Sequence, residues 1–413
     1  MKVINLFLAI IISFYNMSQN YVAPFANKGL WGYVLSNGNV LINNIYKHAD
    51  PFNDGLAFVF NIKSKRWMII DKYNNEINVD AKNYIPKNYF GFGRKGFIDS
   101  LAQIRVKNKF ACINTKGKFI HKAEYDKLSE FKDGFAIGRI DQQFYLLGKK
   151  GEKIKINGSI NGVNYVKNGY APFKNKEGNF GFIDTKGEII IPAKFENVGY
   201  FYNNLAWARK INGKIGFINI NGDWVIEPVF DKVTNFEGND KIASVKKEDR
   251  WIFLRASGET FEIKNTIAIG KFNNERCWVK TINNKVGFID KKGNWIVEPK
   301  YEAAKNFEYG LSRVKKNGLW GLINTSGEII ADCIYKKIGK ITEYPIEILR
   351  FDLWGFINHD GSILVEPKYS DTRTFKENYA AVRTNNKWGL IDIKGKEVIK
   401  PKYLKFKSGS SIE

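Results

Sequence analysis

The stretch KVGFIDKKGNWIVEPKY, residues 285–301, recurs as KIGFININGDWVIEPVF at 214–230 and as KWGLIDIKGKEVIKPKY at 387–403. Aligning the chain on the position of Gly287 gives eleven copies, at Gly32, Met68, Ala111, Tyr145, Gly181, Gly216, Ile252, Gly287, Gly321, Gly355 and Gly389. Successive gaps are 34 to 36 residues except the 43 before Ala111. A near-constant period of this size marks a repeat architecture, in which a unit too small to bury its apolar face alone buries it against its neighbours.

Each copy holds three strand-like phrases. The first follows an aromatic and a turn, as in FKDGFAIGR (131–139); the second contains the aligned position, as in KWGLID (387–392); the third follows, as in WIVEPKY (295–301). Runs of four to seven residues rich in Ile, Val, Phe, Tyr and Trp suit strands, and no copy shows a helical apolar period. The second and third are joined by turns such as DTKGE (184–188), DKKGN (290–294) and DIKGK (392–396), whose fourth residue is Gly in ten copies and Asn74 in the other. A leading Asp or Asn accepts a hydrogen bond from the backbone two residues on, and Gly takes the left-handed conformation without a Cβ clash. The recurring Asp is therefore a turn-former and not a catalytic acid.

Side chains alternate along a strand, so Trp388 and Leu390 share one face while Gly389 and Ile391 share the other. Both faces are apolar, which predicts a strand covered on both sides. Gly at the aligned position is expected to leave room for a bulky group from the adjacent repeat, so that repeats meet through tryptophan-and-glycine contacts. Where the preceding residue is Ile215 or Val286, a tryptophan stands nine residues later, at Trp224 and Trp295, as packing by total volume would have it. The pairs Glu227-Pro228, Glu298-Pro299 and Glu366-Pro367 point to a strand end or outer edge, with the glutamates as surface partners of Lys300 and Lys368.

The phrases LWG (30–32, 319–321, 353–355) and KWG (387–389), with the frame around them, resemble the WG-repeat, or KWG-repeat, family of bacterial β-repeat proteins. That resemblance implies an array of short β-repeats, often exported, with no catalytic residues in its pattern. The expected fold is all-β: a tandem array of eleven three-stranded repeats over 19–403, followed by a tail at 404–413. Propellers hold about four to eight blades, so the eleven copies form either one or two β-propellers or an open, continuous curved superhelix, which is favoured. A break is expected near 79–100.

The N-terminus MKVINLFLAIIISFYNMSQN pairs Lys2 with an apolar run from Val3 to Tyr15. This fits a signal peptide, residues 1–18, cut near Ser18, with an uncleaved anchor as the alternative. A secreted, periplasmic or cell-surface protein with no membrane segment after cleavage is expected. Cys112, Cys277 and Cys333 are isolated, at apolar strand positions, and read as small buried hydrophobes. His48, His121 and His359 have no neighbour at metal-ligand spacing, and GFGRKG (91–96) lacks the strand–turn–helix context of a dinucleotide site. No catalytic, cofactor or metal residue is assigned. The net charge of +23 is spread along the chain. Together these features predict an exported, non-catalytic, monomeric scaffold that binds a protein or cell-surface polymer. The alternative partner is an anionic glycan or, less favoured, nucleic acid.

Overall fold

The computed structural model describes residues 21–87, 96–236 and 241–412; residues 1–18, the expected signal peptide, and most of the GFGRKG stretch lie outside them. Two compact units are present, one of residues 1–124 with 337–413 and one of residues 125–336. Among the described residues every regular element is a strand.

The last repeat shows the plan. Strands Tyr379–Thr384, Lys387–Asp392 and Glu397–Tyr403 pair antiparallel in chain order, and a two-residue strand, Asp371–Thr372, pairs with the open side of the first. This short strand continues the third strand of the preceding repeat, Ile363–Tyr369, after a single-residue bend. A repeat on this plan thus carries its three strands plus a short fourth that begins the next sheet. In the N-terminal copy the hand-over is unbroken: Val40–Ala49 pairs with its own sheet through Tyr33↔Ile42 and with the next through Ala49↔Val59. A strand that leaves one sheet as its outer member and enters the next gives the array few exposed edges.

In the first sheet the place of the short fourth strand is taken by the C-terminal segment. Lys405–Phe406 and Ser410–Ser411 both pair with Tyr21–Asn27. The Gly409 amide donates to the Tyr21 hydroxyl at 2.7 Å, and Lys407 Nζ donates to the Ala49 carbonyl at 2.6 Å. Residues 405–406 and 410–411, set apart in a tail by the sequence, are part of the sheet.

The turns form as expected. Asp290 Oδ1 accepts from the Lys292 and Asn294 amides at 2.8 and 2.9 Å, and Asp184 and Asp392 do the same in their repeats. Burial pushes the Asp290 carboxyl up, but those amides, with Gly293 and the Asn294 side chain, hold it below the usual carboxylate range. Gly293 and Asn74 both take positive φ, at 91° and 68°.

The two-sided burial of the second strand also holds. Leu390 packs with Tyr21, Phe25 and Val34 on one side; Ile391 packs with Phe356, Phe375 and Val382 on the other. The glycine has a different neighbour from the one expected. A Cβ on Gly389 would lie 2.7 Å from the Pro401 nitrogen and closer still to the Ile399 carbonyl oxygen, both in the third strand of its own sheet. The register explains why: Trp388 faces Tyr403 and Leu390 faces Ile399, so three residues of the third strand bulge over one glycine. Gly32, Gly181, Gly216, Gly287, Gly321 and Gly355 face the same kind of shift. Tyr145 and Ile252 stand where the third strand is short and pairs without a shift. Proline, lacking a donor, suits the bulge.

The contact between repeats is carried chiefly by phenylalanine. The ring after the glycine meets the lead-in aromatic of the next repeat: Phe182 with Phe201 and Phe217 with Phe236, centroids 4.7 Å apart, Phe288 with Phe307 at 5.1 Å, Phe356 with Phe375 at 5.0 Å. Trp31, Trp320 and Trp354 are only half-buried. The expected tryptophan-and-glycine contact between repeats is replaced by this one. Tryptophan also reaches across: Trp224 meets Phe195 edge-on at 5.6 Å, and Trp295 packs against the cluster of Phe253 in the preceding repeat.

Replacing Gly389 with Leu forces the bulge off the second strand and is expected to cost about 3 kcal/mol. An unchanged urea midpoint would remove the bulge argument. Ending the chain after Tyr403 exposes the edge of Tyr21–Asn27 and strips Phe406 and Ile412 from their clusters. A lowered Tm with concentration-dependent aggregation is expected; a melt matching the full chain would show that these strands add nothing.

Candidate functional site

The residues that recur are committed to turns and packing, so a site must be sought in what departs from the pattern or faces solvent. None of the residues singled out in the sequence gathers into a reaction centre. His48 Nε2 lies 2.9 Å from the buried Asp50 carboxylate, which Lys407 also approaches at 3.6 Å, so this group ties the C-terminal segment down. Among the described residues no three His, Cys, Asp or Glu side chains come together as metal ligands. Burial pushes the Cys112 thiol up to about 12, which keeps it protonated and unreactive. The expected pairing of Glu298 with Lys300 and Glu366 with Lys368 is not made. Lys300 and Lys368 lie over the rings of Tyr301 and Tyr369 at 5.5 and 5.1 Å, and Lys368 reaches Glu397 of the next repeat at 3.6 Å.

One carboxylate that sequence reasoning missed is Glu347. Burial raises its pKa, and hydrogen bonds from Thr374 at 2.9 Å and Thr372 at 3.2 Å offset part of that rise. A shifted carboxyl is a reason to look for catalysis. Here the position argues for packing. Glu347 stands across from Phe356 as Trp207 does from Phe217 and Trp278 from Phe288. In each case the side chain covers a glycine eight residues earlier: Gly339, Gly199 and Gly270. That glycine-to-eighth-residue spacing was the available signal.

The basic side chains are ordered by register. Within residues 125–336 each of six successive repeats places a cation on the first strand across from the residue before the aligned position: Arg139, Lys174, Arg209, Lys246, Lys280 and Lys315. Lys174 and Lys315 lie over the facing rings of Phe180 and Trp320, at 5.5 and 6.0 Å, so their stems cover apolar surface while the charge reaches water. Among the described residues only Lys246 of the six has a carboxylate partner, the exposed Asp249 at 2.7 Å.

In the second repeat the same position is Phe60, facing Trp67. Its third strand is reduced to a single bridge, Ile70↔Glu76, and its segment then turns to the third repeat, where Asp80 pairs with Lys118 at 2.9 Å. A cleft of about 460 Å³ opens there. Phe60, Trp67, Tyr84 and Ile85 form its apolar floor; Lys47, Lys65, Arg66, Arg105 and Lys107 stand around it. Trp67 and Tyr84 are buried, whereas Lys47, Lys65, Arg105 and Lys107 are exposed. Arg66 is held by both oxygens of Glu76, at 2.5 and 2.7 Å. A second cavity, of about 400 Å³, lies beside Trp278 and Ser244 and carries fewer charges.

The profile of the WG containing repeat matches residues 31–61, 110–142, 180–214, 215–251, 287–320, 320–343, 354–388 and 388–403. The chain belongs to the WG-repeat family. The matches break off before the aligned residues Met68, Tyr145 and Ile252, the copies whose third strand is short or reduced to a bridge. Among curated proteins none matches. Similar solved structures include a eukaryotic initiation factor, 10% identical over 75% of this chain and 97% of that one, with a TM-score of 0.44. Others are streptogramin B lyase, 13% identical over 60% and 94% with a TM-score of 0.27, and the WD40 β-propeller domain of Doa1, 11% identical over 55% and 90% with a TM-score of 0.26. Scores this low bear on nothing further.

The Glu347 reading predicts a pH signature. The folded chain holds that proton more tightly than the unfolded chain, so the ionised carboxylate costs stability above its folded pKa. The cost disappears as pH falls to the ordinary glutamate value of about 4.5. Glu347→Gln should therefore raise Tm at neutral pH, with a gain that shrinks on acidification. A gain independent of pH would contradict the assignment.

Proposed function

We propose that this WG-repeat protein is an exported, non-catalytic scaffold that binds another protein through acidic groups on the partner. The observation that carries the reading is the row of six cations at one register in residues 125–336, five of them without a carboxylate partner among the described residues. A cation repeated with the period of the array suits a partner that offers acidic groups along its length. Export rests on the apolar stretch after Lys2 and the small Ser18.

The second reading, an anionic glycan or nucleic acid, draws on the same charges. Single-stranded nucleic acid also needs open aromatic faces on which bases can stack. The four rings beside this row, Phe144, Phe180, Trp251 and Trp320, each lie in a cross-strand pair with one of its cations, and Lys174 and Lys315 lie over Phe180 and Trp320, which favours an acidic protein surface.

The test is chromatography of the secreted protein, its start at Gln19 checked by N-terminal sequencing, on immobilised polyglutamate and on heparin. Reversing Lys174, Arg209 and Lys280 to Glu should lower the eluting salt concentration on polyglutamate. Reversing the exposed Lys63, Lys82 and Lys387 should lower it much less. Equal shifts for the two triple variants overturn the row as the binding surface; tighter retention on heparin than on polyglutamate overturns the protein reading in favour of the glycan.

A further inference from the structure

We infer that the cleft of the second and third repeats is a separate binding site for an acidic peptide segment, one that inserts an apolar side chain between flanking carboxylates. The inference rests on the reading of the chain as a protein-binding scaffold and names the chemistry of one contact.

The cleft exists because one repeat departs from the rule of the others. Where Arg105, Arg139, Lys174 and their equivalents lay a long cation across the facing residue, the second repeat has Phe60 against Trp67, edge-to-face at 5.5 Å. No long stem covers the floor at that register. The third strand, which in the glycine-bearing copies closes back over the second, here keeps only the Ile70↔Glu76 bridge and an Ile77 amide to the Ile69 carbonyl at 2.8 Å. A volume of about 460 Å³ lies within the range of about 300–1,000 Å³ common for ligand sites.

Charge selects the occupant. Lys47, Lys65, Arg105 and Lys107 have no carboxylate partner among the described residues. The fifth cation already displays the chemistry: Arg66, on the rim of the cleft, grips the Glu76 carboxylate with two hydrogen bonds. A bare inorganic anion would leave the apolar floor wet. A sugar or a nucleobase would need a flat, open ring, and Trp67 is buried with its ring against Phe60 and against His48 at 5.4 Å. An apolar side chain on the floor and acidic neighbours on the rim satisfy both surfaces.

The probe is the labelled peptide acetyl-Asp-Glu-Phe-Glu-Asp-amide, followed by fluorescence anisotropy against the full-length secreted protein at low salt. Saturable binding is expected. Phe60→Lys, which installs the residue type other repeats carry at this register, should weaken it about tenfold, as should the exposed pair Lys47→Glu with Arg105→Glu, a pair whose Tm should be unchanged. Replacing the peptide's Phe by Ala should weaken it similarly. Absence of saturable binding, indifference to Phe60→Lys, or preference for a heparin fragment of equal charge overturns the site. Reversing Lys174, Arg209 and Lys280 should leave peptide binding intact. If polyglutamate retention depends on that row and the peptide fails to bind, this inference falls and the scaffold reading stands.

Discussion

The contact on which the rest of this structure depends is a backbone-to-backbone approach: the bulged third strand crossing directly over a glycine of the second. A bulge adds residues on one strand only, so that strand bends and its twist increases. Here the bend turns the strand's end out of its own sheet and into the next. Phe195, Phe230, Tyr301, Tyr369 and Tyr403 end third strands in glycine-bearing repeats, and in each the short strand of the next sheet begins after one intervening residue. In the repeats of Tyr145 and Ile252 the third strand stops at Lys155 and Phe261, and the next strand starts only at Ile160 and Thr266. Any side chain at the glycine would meet a main chain, which cannot rotate aside as another side chain can. Glycine there, or the small Ala111 of the third repeat, whose Phe119–Tyr125 also hands over to Lys127–Leu128 after one residue, accompanies strand sharing, and strand sharing turns a string of small sheets into a fold.

Much of this could be read in the sequence. The period, the Asp-x-x-Gly turn and the double burial of the second strand follow from local chemistry, where spacing alone decides. The neighbour of the glycine did not follow, because alternation gives the face of a strand but not the path of the strand beside it. The inter-repeat contact was also present in the letters: Phe182 and Phe201, Phe217 and Phe236, Phe288 and Phe307, and Phe356 and Phe375 share one separation. Tryptophan drew attention by its size, yet half-buried rings at strand ends contribute less than fully buried ones. The C-terminal strand was hidden for a different reason. Lys405–Phe406 has the form of a hand-over to a following repeat, and its partner, Tyr21–Asn27, lies at the far end of the sequence.

The candidate site was legible only in part. The charge was counted, but its order appears once strands are paired and the cations fall at one register. Glu347 looked like any solvent-facing glutamate until Thr372 and Thr374 of the next repeat were seen to donate to it. The cleft lay near the single irregular gap in the period, which signalled a departure without saying what the departure exposes.

A repeat fold constrains where specificity can arise. Every copy that obeys the glycine rule uses its third strand to cover the second and to start the next sheet, which leaves only side chains at fixed registers for contact with a partner. Such surfaces are periodic and discriminate poorly among partners of like charge. A copy that breaks the rule loses covering strand and so exposes apolar floor, at some cost in stability to that copy. Phe60, Trp67 and Tyr84 lie in the copy whose aligned residue is Met68 and in the connection that follows it, so the cleft and the lapse of the pattern have one structural origin. Removing the lapse would therefore strengthen the array and erase its most distinctive surface together. In such an array the irregular repeats, where stability has been given up, are the places to look for recognition of one partner over another.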